Sequence, residues 1–216
     1  MKNVNKNIRN TCIIVAHPDD ETLWAGGTIL KHPEWHWEIH TLCRASDQDR
    51  SNKFRRVLSI YGARGIMADL DDGPEQRPIP GFEIQQAVLK SVEHRCFDLV
   101  ITHGPHGEYT RHRRHEEVSR TVCDLWLQGE IDAKVIWLFA YTDGDGKFLP
   151  GPEAGAHKKK KLPDAIWQEK YRIMTYVYGF SPESWEARVT PRTEAFWCFE
   201  SRSRFKEWLE EEEITR

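Results

Sequence analysis

The chain has 216 residues, 39% hydrophobic and 30% charged, with a formal net charge of −3. That length suits one domain with a sizeable core, the near balance of charge excludes a general electrostatic grip on nucleic acid or an anionic membrane, and no apolar run reaches the ~20 residues of a membrane-spanning helix. Residues 1–10 lack the apolar centre of a secretion signal, and the five scattered cysteines (Cys12, Cys43, Cys96, Cys123, Cys198) contain no CxxC pair, so they read as reduced core residues of a cytoplasmic protein.

The first predicted strand, residues 11–16, is an apolar run. His17, Pro18, Asp19 and Asp20 follow it at once, at a strand's carboxyl end, where open α/β sheets bind ligands. His17 and Asp20 are three apart, so a turn begun by Pro18 aims both at one point. Asp19 projects differently, which leaves one carboxylate for a cation and one for a proton. Capping of the next helix explains a single Asp. It does not explain His17, the second Asp and the strand together, so the stretch reads as a metal site with ordinary zinc ligands.

A helix is predicted over 22–31. Its Gly26-Gly27 pair, at about 1 kcal/mol per glycine relative to alanine, points to close backbone packing or an approach to the site. Trp24 is either a core residue or a ring that stacks on a sugar. A strand follows over 35–42, then a polar loop, 44–49, that should face the site. A helix over 50–61 is stopped by Gly62, and a third strand runs over 65–70. A loop over 71–81 leads to a helix over 82–95 and a fourth strand over 97–102. His112-Arg113-Arg114-His115 then opens a helix over 113–127. Its histidines, three apart, share a face, so one can bind metal while the other reaches substrate. Taken alone, with Arg111, Arg113 and Arg114 around it, the segment would read as a solvated basic turn. A fifth strand covers 133–141.

Beyond it the pattern is less regular. Residues 143–155 read as a loop, and Lys158–Lys161 as a solvated basic loop. A helix is predicted over 165–178, ending at Gly179, then a strand over 193–199 and a charged helix over 204–213. Trp126, Trp137 and Trp208 are assigned to packing.

Alternating strands and helices specify an α/β fold, a doubly wound, mostly parallel sheet with strand order beginning 3-2-1-4-5. The whole chain, 1–216, is one domain, with its core over about 11–142 and an irregular elaboration over 143–216. The first and fourth strands are then neighbours at the switch point, and both motifs sit at its crevice. No Gly-x-Gly-x-x-Gly follows the first strand and no P-loop is present, which argues against nucleotide cofactors.

His17-Pro18-Asp19-Asp20-Glu21 after a strand, Gly26-Gly27, Leu70-Asp71-Asp72-Gly73, Thr102-His103-Gly104 and His112-x-x-His115 together resemble the PIG-L/LmbE-like family of zinc-dependent N-acetylglucosaminyl deacetylases. The resemblance covers about 11–142, with a weaker echo in Trp167-x-x-Lys170. It implies a Zn2+ ion, or another divalent ion, held by His17, Asp20 and His115, with Asp19 as general base. It implies His112 as the group stabilising the oxyanion; if protonated, it would be held so by Asp98, Asp47 or a loop carboxylate. Arg44 and Arg50 would contact sugar hydroxyls or an anionic aglycone, and Tyr109 would polarise the carbonyl. The implied partner is a small-molecule amino sugar, with homo-oligomers allowed. Three positions depart from the family pattern: Arg113-Arg114 between the histidines, Lys53 where an acidic residue follows Arg50, and Tyr109 three residues before His112 rather than two. A non-catalytic metal- or sugar-binding module, or an amidase acting on a thiol conjugate, is the alternative.

Overall fold

The computed structural model describes residues 9–92, 95–110 and 112–214. Residues 1–8, the predicted helix end at 93–94 and Arg111 lie outside the described residues. The apolar run becomes β1 (Asn10–Val15), paired in parallel with β2 (His36–Cys43) on one side and β4 (Cys96–Thr102) on the other. β3 (Arg64–Leu70) extends the sheet beyond β2, and β5 (Asp132–Phe139) extends it beyond β4. The order β3-β2-β1-β4-β5 is the one expected, and β1 and β4 meet where it reverses.

Two helical layers bury the central strand on both faces. Ile13 and Val15 pack in one core with Leu23 and Trp24 of α1 (Asp20–Lys31) and with Phe54 and Val57 of α2 (Gln48–Tyr61). Cys12 and Ile14 pack in a second core with Ile84 and Val88 of α3 (Gly81–Val92) and with Val118 and Val122 of α4 (Arg113–Gln128). Burial on both faces is why β1 is apolar throughout rather than alternating.

Two antiparallel strands complete the seven-stranded sheet: β9 (Thr193–Phe199) beside β5, and β8 (Lys158–Lys161) at the edge. The lysine run is therefore a strand, not a loop. Its four side chains are exposed, so the backbone ladder to β9 orders it, and the charges protect an open sheet edge. β6 (Tyr141–Thr142), just before the predicted loop, pairs with β7 (Gly151–Pro152) inside it. α5 (Asp164–Arg172) passes into a wider π turn, Ile173–Val177, and the chain turns at Gly179 with φ +81°. A short helix with no sequence signal, α6 (Trp185–Val189), follows, and α7 (Arg202–Ile214) ends the fold.

Cys12, Cys43 and Cys123 are buried as expected, but Cys96 is exposed and Cys198 half-buried. Cys96 opens β4, before that strand enters the core. Gly26-Gly27 serves packing rather than the site. A Cβ on Gly27 would stand 2.5 Å from the Leu162 methyls, and one on Gly26 would stand 2.9 Å from the Tyr61 hydroxyl. Here α1 also meets a buried ion pair. Glu194 accepts from Lys170 Nζ at 2.8 Å, from the Gly27 and Thr28 amides at 2.7 Å each, and from the Thr28 hydroxyl at 2.6 Å.

Candidate active site

The chain leaves β1 through a strained turn. Asp19 occupies the N-cap position of α1 at φ +139°, yet its side chain makes no cap hydrogen bond. Such a backbone costs on the order of 1–3 kcal/mol and persists only where surrounding contacts hold it. Here Glu21 holds it: Oε2 accepts from the Asp19 amide at 3.0 Å, and Oε1 accepts from the hydroxyls of Thr22 and Tyr178, each at 2.6 Å. Asp20 folds back to accept from the His17 amide at 2.8 Å. Asp19 accepts instead from Arg50 across the crevice at 2.8 Å. Burial and the Asp20 charge raise the Asp19 pKa well above its ordinary value, with Arg50 and His17 opposing.

Three donor groups converge beside that turn. His17 Nδ1 lies 3.2 Å from Asp20 Oδ2 and 3.3 Å from His115 Nε2, and His115 Nε2 lies 3.4 Å from Asp20 Oδ1. Around a tetrahedral ion with bonds of about 2.0–2.1 Å, ligand atoms stand roughly 3.3 Å apart, a spacing each of these pairs meets, though through different oxygens of Asp20. Among the described residues, the side chains whose donor atoms gather closely enough to hold an ion include His17, His112 and His115, and Asp20, His103 and His115. Burial opposes the charge on Asp20, but the facing His115 and His103 hold its pKa well below the usual range.

The outward nitrogens are fixed by partners absent from the sequence reading of the site. His115 Nδ1 donates to Glu108 at 2.6 Å, and His17 Nε2 donates to Asp72 Oδ1 at 3.1 Å. Asp72 is in turn held by Arg44 and Gln76. His103 Nε2 accepts from the Ala16 amide at 2.9 Å, so its proton sits on Nδ1 and goes to Glu108 at 2.9 Å. Both nitrogens of His103 are thereby engaged. Carboxylates that orient ligating imidazoles are worth 10–100-fold in metal affinity. Glu108→Gln should therefore weaken the hold of this cluster on a divalent ion by about that factor, measured by zinc competition with a chromophoric chelator.

His112 stands at the N-cap of α4 with its ring 4.0 Å, centroid to centroid, from that of His115. Burial, then the facing His115 and His17, push its pKa down to about 3. That direction favours the neutral imidazole over the imidazolium considered above. The expected carboxylate partners are elsewhere: Asp47 caps α2, and Asp98, near the amino end of β4, accepts from the Asn10 amide and Lys134. His112 Nδ1 is buried with no hydrogen-bond partner among the described residues. Arg113 is exposed, while Arg114 is buried against Glu117 and the Arg77 carbonyl. Neither lines the crevice, so the double Arg leaves it unobstructed.

The crevice has a volume of about 200 Å³ and is lined by His17, Pro18, Asp19, Asp20, Leu23, Arg44, Arg50, Asp72, Tyr109, His112, Trp185 and Glu186. Arg44 and Arg50 reach it as expected, though each is engaged by a carboxylate. Lys53 pairs with Asp49 instead. Tyr109 lines it, with its ring against those of His112 and His115. Trp24 does not line it: the indole is fully buried and packs on Tyr141. The indole in the crevice wall is that of Trp185, from α6, which no periodicity marks.

The PIG-L family, described as GlcNAc-PI de-N-acetylase, matches residues 12–126, more than half of the chain. No curated protein matches it. Among solved structures, N,N'-diacetylchitobiose deacetylase from Pyrococcus horikoshii is similar with a TM-score of 0.68 at 13% identity, over 89% of this chain and 84% of that one. A teicoplanin deacetylase gives 0.62 at 12% identity, over 89% and 98%. A hydratase from Pseudomonas putida, acting on 4-carboxy-2-hydroxymuconate, gives 0.54 at 13% identity, over 88% and 95%. At such identities the likeness shows the fold, which serves more than one chemistry. The sequence match goes further: spanning both strands of the switch point and both histidine motifs, it shows that this chain belongs to the PIG-L family.

Proposed function

We propose that the protein is a metal-dependent N-deacetylase that releases acetate from an N-acetylglucosamine-type amino sugar. The observation that carries this is the cluster in which the imidazoles of His17 and His115 and the carboxylate of Asp20 face one another, beside a carboxylate, Asp19, that takes no part in it. Membership of the PIG-L family and the likeness to sugar deacetylases support the choice of substrate.

His17, Asp20 and His115 would hold the ion, zinc by the chemistry of two imidazoles and a carboxylate. When bound, it supplies Lewis acidity to the scissile carbonyl. Asp19 takes the proton of the attacking water; its raised pKa makes it a stronger base than a free aspartate. The same carboxyl then returns the proton to the leaving amine. His112, neutral, donates one N–H toward the oxyanion as charge develops. Arg50 fixes the Asp19 carboxylate, and Arg44 fixes Asp72, which orients His17.

Acetate release from methyl 2-acetamido-2-deoxy-β-glucoside should be abolished by a chelator and restored by zinc. A fully zinc-loaded protein that releases no acetate from this compound or from a panel of N-acetylated amino sugars would refute the proposal.

A further inference from the structure

We propose that Trp185 is the platform on which the apolar face of the substrate's pyranose ring stacks, so that α6 selects cyclic amino sugars over ring-free N-acetyl amines. This rests on the deacetylase reading and adds a specificity-determining residue to it. Trp185 is half-buried and belongs to the crevice wall together with Leu23 and Tyr109. Its ring meets Tyr109 at 4.5 Å between centroids, with planes 63° apart. Tyr109 in turn touches the rings of His112 and His115. The indole is therefore held a single ring away from the imidazoles that would bind metal and oxyanion.

The backbone holds it there. Trp185 is the first residue of α6; Ser184 caps that helix by accepting from the Ala187 amide at 3.2 Å, and Ala187 and Val189 are buried. A pyranose presents a face of C–H bonds and a rim of hydroxyls. The crevice supplies a matching division: indole, phenol and leucine for the face, Arg44 and Glu186 for the rim. An indole contact of this kind contributes through burial and through its π face. α6 lies beyond residues 12–126, the part that matches the family, so this wall belongs to the C-terminal elaboration.

The test compares zinc-loaded wild type with Trp185→Phe and Trp185→Leu on two probes, methyl 2-acetamido-2-deoxy-β-glucoside and the ring-free N-acetylserinol. Trp185→Leu should raise KM for the glucoside about ten-fold with kcat within about two-fold, and Trp185→Phe should restore most of it. KM for N-acetylserinol should not change in either variant. An unchanged glucoside KM, or an equal rise for both probes, overturns the proposal. Thermal unfolding checks that each variant is folded, and Trp185→Met replaces the leucine variant if that one is not. Glucoside binding is followed in parallel by NMR titration. If wild type binds without releasing acetate, the deacetylase reading fails and the Kd ratio between wild type and variants decides on Trp185. If wild type does not bind the glucoside, the platform falls as well.

Discussion

Asp19→Asn is expected to lower kcat by about 10²–10⁴-fold, the span attributed to a positioned general base, with KM and bound zinc unchanged. Asparagine is the informative substitution. The Asp19 backbone sits at φ +139°, and asparagine, isosteric with aspartate, leaves that backbone as it is. It also keeps an acceptor for Arg50, which donates to Asp19 at 2.8 Å. What it removes is the negative charge, and the basicity with it. In the wild type, kcat should fall as pH drops through the Asp19 pKa, because only the carboxylate can accept a proton. Burial and the Asp20 charge place that limb above the ordinary aspartate range. In the Asn variant the residual rate should lack the limb. A variant that turns over near the wild-type rate, with zinc content confirmed by elemental analysis, would remove Asp19 from the base role.

The second large effect concerns stability. Glu194→Leu should destabilise the fold by about 3–5 kcal/mol, lowering Tm by roughly 10 °C in a protein of this size. Glu194 and Lys170 are both fully buried. Loss of the carboxylate strands an ammonium group and removes the hydrogen bonds that Glu194 accepts from the Gly27 and Thr28 amides. Lys170→Met should cost less, because Glu194 would keep its two amide donors and the Thr28 hydroxyl. Urea unfolding of the two variants orders them. A larger loss for Lys170→Met would show that the ammonium, not the carboxylate, is the hub. The pair sits under α1, so a loosened α1 should also weaken zinc binding by shifting Asp20.

This arrangement gives the C-terminal third a part in the site. Tyr178 holds Glu21, and Glu21 holds the Asp19 amide. Lys170 and Glu194 brace the middle of α1, and Trp185 walls the crevice. The strained turn lies near residue 19, but supports for it and for α1 come from about residues 170–194.

The expected strand order, and the approach of His17, Asp20 and His115, follow from the sequence because they rest on local signals. β1 is apolar on both faces, its motif follows without a gap, and alternating strands and helices leave few topologies. Glu108 was missed. It is a single glutamate in a glycine-containing loop, and a loop's path is not encoded by periodicity. Asp72 and His103 lay in recognisable stretches, yet nothing in those stretches told which atoms they would meet. The lysine strand and α6 were missed for a related reason: a strand ordered by its neighbour's backbone, and a helix of five residues, leave no pattern in the side chains.

The sequence by itself determined the layered α/β fold, the family and the pair of segments that meet at the switch point, since hydrophobic period and motif spacing are properties of contiguous residues. Only the tertiary structure decided the partners Glu108 and Asp72 of the ring nitrogens, the burial of His112 Nδ1, the burial of Trp24 and the placing of Trp185 in its stead. Those depend on contacts between residues far apart in the chain, where burial and partner geometry, not local propensity, fix the energy.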